Sequence, residues 1–179
     1  CYVIKDKKEG DEDNVKLKYI SAGPLSTAEV AVGQVRNEVI HFAEISRRTV
    51  DHIRMALAAK SDKEFEAARQ KLVKYEEISD RIEYEIAQFL NSLPEDSISE
   101  ATRTETKRMY KIIGELESLG DSGESVSRIL SRRNSHNQHF SEEQCAKLEV
   151  MLTAVDKAYG VMIDNLRAQE FDHLGLRLA

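Results

Sequence analysis

Residues 61–93 have the sequence SDKEFEAARQKLVKYEEISDRIEYEIAQFLNSL, and this stretch decides the fold. Its nonpolar and small residues recur at intervals of three and four, the spacing of one face of an α-helix. That stripe consists of Phe65, Ala68, Leu72, Tyr75, Ser79, Ile82, Ile86, Phe89 and Leu93. Ser61 or Asp62 is the predicted start, and Pro94 is the predicted end because proline cannot continue a helix.

Three other segments carry similar stripes. A first helix is predicted over about residues 26–59, a third from near Ser97 to about Arg133, and a fourth from Ser141 to a point before Gly175. The third stripe includes Met109, Ile112, Leu116, Leu119, Gly123, Val126 and Leu130, and the fourth includes Cys145, Leu148, Leu152, Val155, Tyr159, Met162 and Leu166. Helices of about 30 residues are about 45 Å long. Short connections between them predict an all-α fold, an antiparallel up-and-down bundle of four long helices.

Helix-start signals support these boundaries. Serine and threonine side chains accept hydrogen bonds from the first free N–H groups of a helix. The candidate caps are Ser26 or Thr27, Ser97 with Glu100 in capping-box spacing, and Ser141 with Gln144.

Composition excludes several classes of protein. The chain has 179 residues, enough for one domain with a substantial core. Its net charge is −6 and its basic residues are scattered among acids, so nucleic acid is not an expected partner. No nucleophile, base and oxyanion donors are arranged for catalysis and no glycine-rich phosphate loop is present, so we expect neither an enzyme nor a small-molecule substrate.

The N-terminal residues have a different character. Residues 5–13 are a mixed-charge run that cannot bury itself, so residues 1–24 are predicted to be a charged linker or leader and residues 25–179 the bundle. A linker cut from a longer protein explains a chain that begins at Cys1. A lipoprotein cysteine exposed by signal-peptide cleavage is the competing explanation.

Two pairs of acids are the sharpest chemical feature. Glu76 with Asp80, and Glu117 with Asp121, are spaced four apart, so each pair lies on one side of its helix. Four converging carboxylates repel one another unless a cation lies between them. A hard multivalent cation with oxygen ligands suits such a site. The alternative is that these acids lie at the boundary of the core and are only solvated.

Charge and glycine content sharpen the prediction. Residues 76–85 hold five acids and one arginine, and residues 115–124 hold four acids and no base. Gly114, Gly120 and Gly123 lie inside the third helix, where each costs roughly 1 kcal/mol relative to alanine. They either let a neighbouring helix approach closely or leave room beside a ligand, and Gly120 directly before Asp121 favours the second use.

Other polar residues are weaker candidates. His136 and His139 are spaced for chelation but lie in a polar loop. Glu38 and Glu44 of the first helix could add carboxylates to the site if their face turned inward. His41 and His52 lie on the same helix, where partly exposed imidazoles are the usual case.

Two stretches resemble the PhoU family. Residues 115–121, ELESLGD, followed by Val126 and Ile129, resemble the third-helix signature of that family, and residues 75–86, YEEISDRIEYEI, resemble its second helix. The match covers about residues 25–133 as one three-helix repeat, with residues 141–173 similar to the first helix of a second repeat.

The resemblance implies repeated three-helix bundles, with E-x-x-x-D motifs that hold iron or zinc in some members. It assigns Glu76, Asp80, Glu117 and Asp121 as metal ligands. The leader, with residues 17–20 (LKYI) and 23–25 (GPL), resembles the segment after the last membrane span of bacterial sodium/phosphate cotransporters with a PhoU-like tail.

Three functions therefore stand as hypotheses. The first is the regulatory tail of a sodium-dependent phosphate cotransporter, at the cytoplasmic face of the bacterial inner membrane. Its partners would be the membrane-spanning part of the same transporter and further copies of the chain in a homo-oligomer. The second is a free-standing PhoU-like metal-binding regulator. The third is a helical-bundle adapter without metal, which binds partner helices.

Overall fold

The described part of the chain folds into four long α-helices. A computed structural model describes residues 17–20, 28–93 and 98–168. Within them the helices are α1 (Ala28–Ala58), α2 (Asp62–Asn91), α3 (Glu100–Ser135) and α4 (Glu142–Ala168), with no β-strand. The predicted all-α fold of four helices is confirmed.

Serine side chains begin three of these helices. Ser61 accepts a hydrogen bond from the Glu64 N–H at 3.2 Å. Ser141 and Gln144 form the predicted capping box, with reciprocal side-chain to backbone bonds of 3.2 and 2.9 Å. Ser99 is the N-cap of α3, and its side chain accepts a hydrogen bond from the Thr102 N–H. Several predicted boundary residues lie outside the described residues: Ser26, Thr27, Pro94, Ser97 and Gly175.

The helices alternate in direction. Arg36 of α1 pairs with Glu105 of α3, so these two helices run the same way. The Tyr110 hydroxyl of α3 donates to the Ala87 carbonyl of α2 at 3.1 Å, as expected for antiparallel neighbours. α1, α2 and α3 pack on one another, whereas α4 packs mainly against α1.

Ion pairs fix α4 to α1. Arg47 donates two bonds to Asp156, of 2.6 and 2.9 Å, and this planar two-bond pairing is the strong form of an arginine–carboxylate contact. Arg54 bonds Glu149 at 3.0 Å. α4 therefore runs antiparallel to α1 with a defined register.

The core follows the predicted stripes most closely in α2. Seven predicted residues are buried there: Phe65, Ala68, Leu72, Tyr75, Ser79, Ile82 and Ile86. In α3 the prediction is wrong at Leu119, which is 39% exposed. In α4 it is wrong at Cys145, which is exposed, and at Val155, which is 42% exposed. α4 contacts too little of the bundle to bury its whole predicted stripe.

No helix among the described residues has both the length and the apolar composition needed to cross a bilayer. The division between a linker over residues 1–24 and a bundle over 25–179 falls in a stretch outside the described residues, so it stays a prediction. Within that leader, Leu17 and Ile20 pack against the main core.

Candidate metal site

Two glycines of α3 set how closely the helices approach. A Cβ atom added to Gly120 would lie 2.9 Å from the Ser79 Oγ of α2, and one added to Gly123 would lie 2.3 Å from the Thr49 Cγ2 of α1. Both distances are shorter than a normal contact, so glycine is needed for helix packing at these two positions. The prediction that Gly120 leaves room for a ligand gives way to this first use, close helix approach.

That approach brings carboxylates of α2 and α3 together. One ligand oxygen from each of Glu76, Asp80 and Asp121 lies within 4.8 Å of the other two. We call these three residues the acidic cluster. Glu117, the fourth predicted ligand, is not part of this set, and its Oε2 accepts a hydrogen bond from the Ser118 hydroxyl at 3.3 Å.

The electrostatics of the cluster are repulsive. Burial raises the pKa of Glu76, and the nearby charges of Asp80, Glu124 and Asp121 raise it further. Burial also raises the pKa of Glu117, with Asp121 as the next cause. Both carboxyl groups therefore hold their protons more tightly in the folded chain than in water. A cation placed among these oxygens would reverse that effect.

The donor set determines which cations the cluster suits. Three carboxylate oxygens are hard ligands, suited to calcium, magnesium, manganese or ferric iron. Zinc more often takes nitrogen and sulfur ligands. Within the described ranges no histidine or cysteine belongs to a metal-sized group, so the cluster suits a hard cation better than zinc.

The first-helix carboxylates do not join the cluster. Glu44 pairs with Arg167 of α4 at 2.5 Å. Glu38 is fully buried and accepts hydrogen bonds through its Oε2 from the backbone N–H groups of Lys18 and Tyr19, at 2.8 and 2.7 Å. Its face does turn inward, as considered from the sequence, but it anchors the leader.

The histidines of α1 are buried, contrary to the expectation of partly exposed rings. His41 lies with its ring edge toward Tyr19, at 6.4 Å between ring centres, and burial lowers its pKa. His52 packs edge-on against Tyr75 at 4.6 Å. His136 lies within 2.8 Å of the Arg132 carbonyl oxygen through its Nδ1, and neither it nor His139 belongs to a metal-sized group within the described ranges.

The inward position of Glu38 has a signal in the sequence. The signal was its position, three residues after Val35 and four before Phe42, inside the apolar stripe of α1. A carboxylate there must be satisfied by other polar groups, because burying an unpaired charge is costly. The leader backbone supplies two donors to the Oε2 of Glu38, and the buried Oε1 has no hydrogen-bond partner among the described residues.

Comparisons of the chain with protein-family models, with curated proteins and with solved structures find no match. Fold and site together define an all-helical protein with a three-carboxylate candidate cation site between α2 and α3.

Proposed function

We propose that this chain is a PhoU-like regulatory domain of a sodium-dependent inorganic phosphate cotransporter, and that it binds a hard cation at the acidic cluster. The observation that carries the proposal is the convergence of Glu76 and Asp80 with Asp121 to within 4.8 Å. Three of the four doublet residues that support the family resemblance meet in space, namely Glu76, Asp80 and Asp121. Glu117 lies at the margin of the site, where burial and then the charge of Asp121 raise its pKa.

Cation binding at the cluster is linked to helix packing. The ligands come from two helices, so a bound ion stabilises the contact between α2 and α3 and is not held equally by the unfolded chain. Gly120 keeps the two helices close at this level. A change in cation occupancy therefore changes the stability of the three-helix unit, which gives a regulatory domain a physical input.

The leader gives the proposed domain an output. Residues 17–20 are attached to α1 through Glu38 and through the packing of Leu17 and Ile20 on the core. In a cotransporter this segment would join the bundle to the membrane-spanning part at the cytoplasmic face of the inner membrane. Force or motion at the bundle would then reach the membrane part directly.

Thermal melts with and without added ion test the cation site. We expect calcium, manganese or ferric ion to raise the melting temperature of the wild-type domain. At a hundredfold excess of ion over the dissociation constant, the free energy of unfolding should rise by about 2.7 kcal/mol. Asp121→Asn should lose most of this gain. Glu115→Gln is the matched control, because Glu115 is an exposed carboxylate on the same helix outside the cluster. Absence of co-purifying metal together with unchanged melting temperatures would reject the site.

A second experiment tests the transporter assignment separately. The gene should encode membrane spans upstream of Cys1, and Asp121→Asn in the full-length protein should alter phosphate uptake in cells. Cation binding without upstream spans would instead identify the free-standing regulator. A chain without cation binding and without upstream spans would be the helical adapter.

A further inference from the structure

α4 has two apolar faces. The inner face packs on α1 and buries Tyr159, Ile163 and Leu166. The ion pairs of α4 with Arg47 and Arg54 also lie on this side. The inner face thus accounts for the position of α4 in the fold, and the opposite face takes no part in this packing.

The opposite face is apolar and exposed. Val150 is 71% exposed, Met151 64% and Val161 42%, and the sequence between them adds the small residues Ala154 and Ala158. Large exposed apolar patches on a folded protein mark interaction surfaces. α4 carries four of the nine large hydrophobic residues that are exposed among the described residues, which makes it the main such surface.

The spacing of this face is that of a coiled-coil seam. Met151, Ala154, Ala158, Val161 and Asn165 are separated by three, four, three and four residues. Such a seven-residue repeat presents one line of side chains to a partner helix. We call these five residues the outer seam.

We infer that the outer seam packs against the outer seam of a second copy of this chain, with the two α4 helices antiparallel. A two-fold axis requires that one surface complement itself. With Ala158 opposite Val161 of the second copy, Met151 lies opposite Ala168 and every large side chain of the seam faces a small one. This inference is independent of the proposed phosphate-transport role.

Charge favours the same register. In an antiparallel coiled coil the residues just before the first seam position of each repeat face one another across the interface. In this register Lys157 of one copy faces Asp164 of the second copy. The two-fold symmetry forms the same pair a second time, with the copies exchanged. Both side chains are exposed. Asp164 also lies 3.5 Å from Arg167 of its own helix, whereas Lys157 takes part in no ion pair within the part of the chain that the structure describes. Lys147 lies seven residues before Ala154, at the next position of the same repeat. A parallel pairing would place the Lys147 side chains of the two copies opposite each other.

Charge reversal tests this pairing without touching the core. Sedimentation of the wild-type domain over a range of concentrations should show a monomer–dimer equilibrium. Lys157→Glu and Asp164→Lys should each weaken dimerisation by about tenfold or more, because each turns two attractive pairs into repulsive ones. The double variant restores opposite charges and should return the dissociation constant close to the wild-type value.

Two further variants control the experiment. Glu142→Lys reverses an exposed charge of the same helix that lies outside the seam and its flanking positions, and it should leave dimerisation unchanged. Val161→Asp should abolish the dimer while the circular dichroism melt of the monomer stays close to wild type, because Val161 is not in the core. A domain that stays monomeric at every concentration, or a double variant no better than the single ones, would overturn the inference.

Discussion

Glu38 and the acidic cluster show two opposite ways in which this bundle treats its carboxylates. Glu38 is fully buried, and two backbone N–H groups bond one of its oxygens. Glu76, Asp80 and Asp121 lie at the bundle surface, where they meet other acids. The first carboxylate is held by the protein through its Oε2, while its buried Oε1 has no hydrogen-bond partner among the described residues. The others depend on solvent, protons or a cation.

The two kinds of carboxylate therefore have different roles, one structural and one sensitive to solution conditions. A carboxylate with fixed donors holds one conformation over a wide range of conditions, and here it holds the leader on α1. A group of mutually repelling carboxylates is sensitive to pH and to cations, because either relieves the repulsion. The two regions therefore give α1 a structural anchor and the α2/α3 contact a chemical input.

Removal of Glu38 should have the largest effect. Glu38→Ala deletes two hydrogen bonds to a buried side chain and leaves a cavity, so we expect a loss of about 2–4 kcal/mol in the free energy of unfolding. Glu38→Gln keeps an oxygen acceptor and should lose about half as much. Urea denaturation measures both losses, and tryptic cleavage after Lys18 should become faster in the alanine variant.

Glu44→Gln is the control for that comparison. Glu44 lies six residues further along α1 and pairs with Arg167 at the surface, so its loss should cost less than about 1 kcal/mol. Equal effects of Glu44→Gln and Glu38→Ala would mean that Glu38 is not the anchor of the leader.

The close contact of Gly123 in α3 with Thr49 in α1 should give the next largest effect. Gly123→Ala places a methyl group 2.3 Å from the Thr49 Cγ2, and we expect a loss of about 1–3 kcal/mol from overpacking. Thr49→Ser removes that methyl and should recover most of the loss in the double variant. Differential scanning calorimetry of the three variants measures the coupling between the two positions.

Gly114→Ala provides a matched test on the same helix. Nothing lies within 4 Å of a Cβ atom at Gly114, so alanine should stabilise the helix by about 0.5–1 kcal/mol. Similar destabilisation by both alanine substitutions would show that the cost at Gly123 is not a matter of contact with Thr49.

The helices could be predicted from the sequence because each stripe has a single strong period. The α2 stripe from Phe65 to Ile86 and the Ser141/Gln144 cap depend on local rules, and the structure has both. α4 is different because it carries apolar residues on two faces. Which face is buried depends on how α4 packs against α1, and this tertiary contact cannot be predicted from the spacing of apolar residues in α4 alone.

Only part of the candidate site could be predicted, because local spacing places residues on one helix but not one helix against another. Spacing of four residues places Glu76 with Asp80 on one helix side, but it does not set the rotation of α2 against α3. That rotation brings Asp121 to the cluster and leaves Glu117 outside the set. It depends on Gly120 of α3 against Ser79 of α2, a contact between residues far apart in sequence.

The pH dependence of stability should show the smallest effect, at the acidic cluster. The folded-state pKa values of Glu76 and Glu117 are raised, so the folded chain binds these protons more tightly than the unfolded chain. Their contribution to stability is complete below pH 4.5, the ordinary glutamate pKa in water, and is lost as pH rises through the folded-state values. Asp121→Asn removes a charge that acts on both groups and should reduce this loss, by roughly a few tenths of a kcal/mol because the site is largely exposed.

The measurement has to be a difference between variants. Asp156, with its pKa lowered by Arg47, and His41, with its pKa lowered by burial, both favour the folded state as pH rises, opposite in sign to the cluster. Chemical denaturation of wild type and Asp121→Asn at pH 4 and pH 7 cancels these shared contributions. We expect Asp121→Asn to gain stability relative to wild type at pH 7 without added ion, and that gain should disappear at pH 4. A gain of the same size at both pH values would show that repulsion among these carboxylates is not what the substitution relieves.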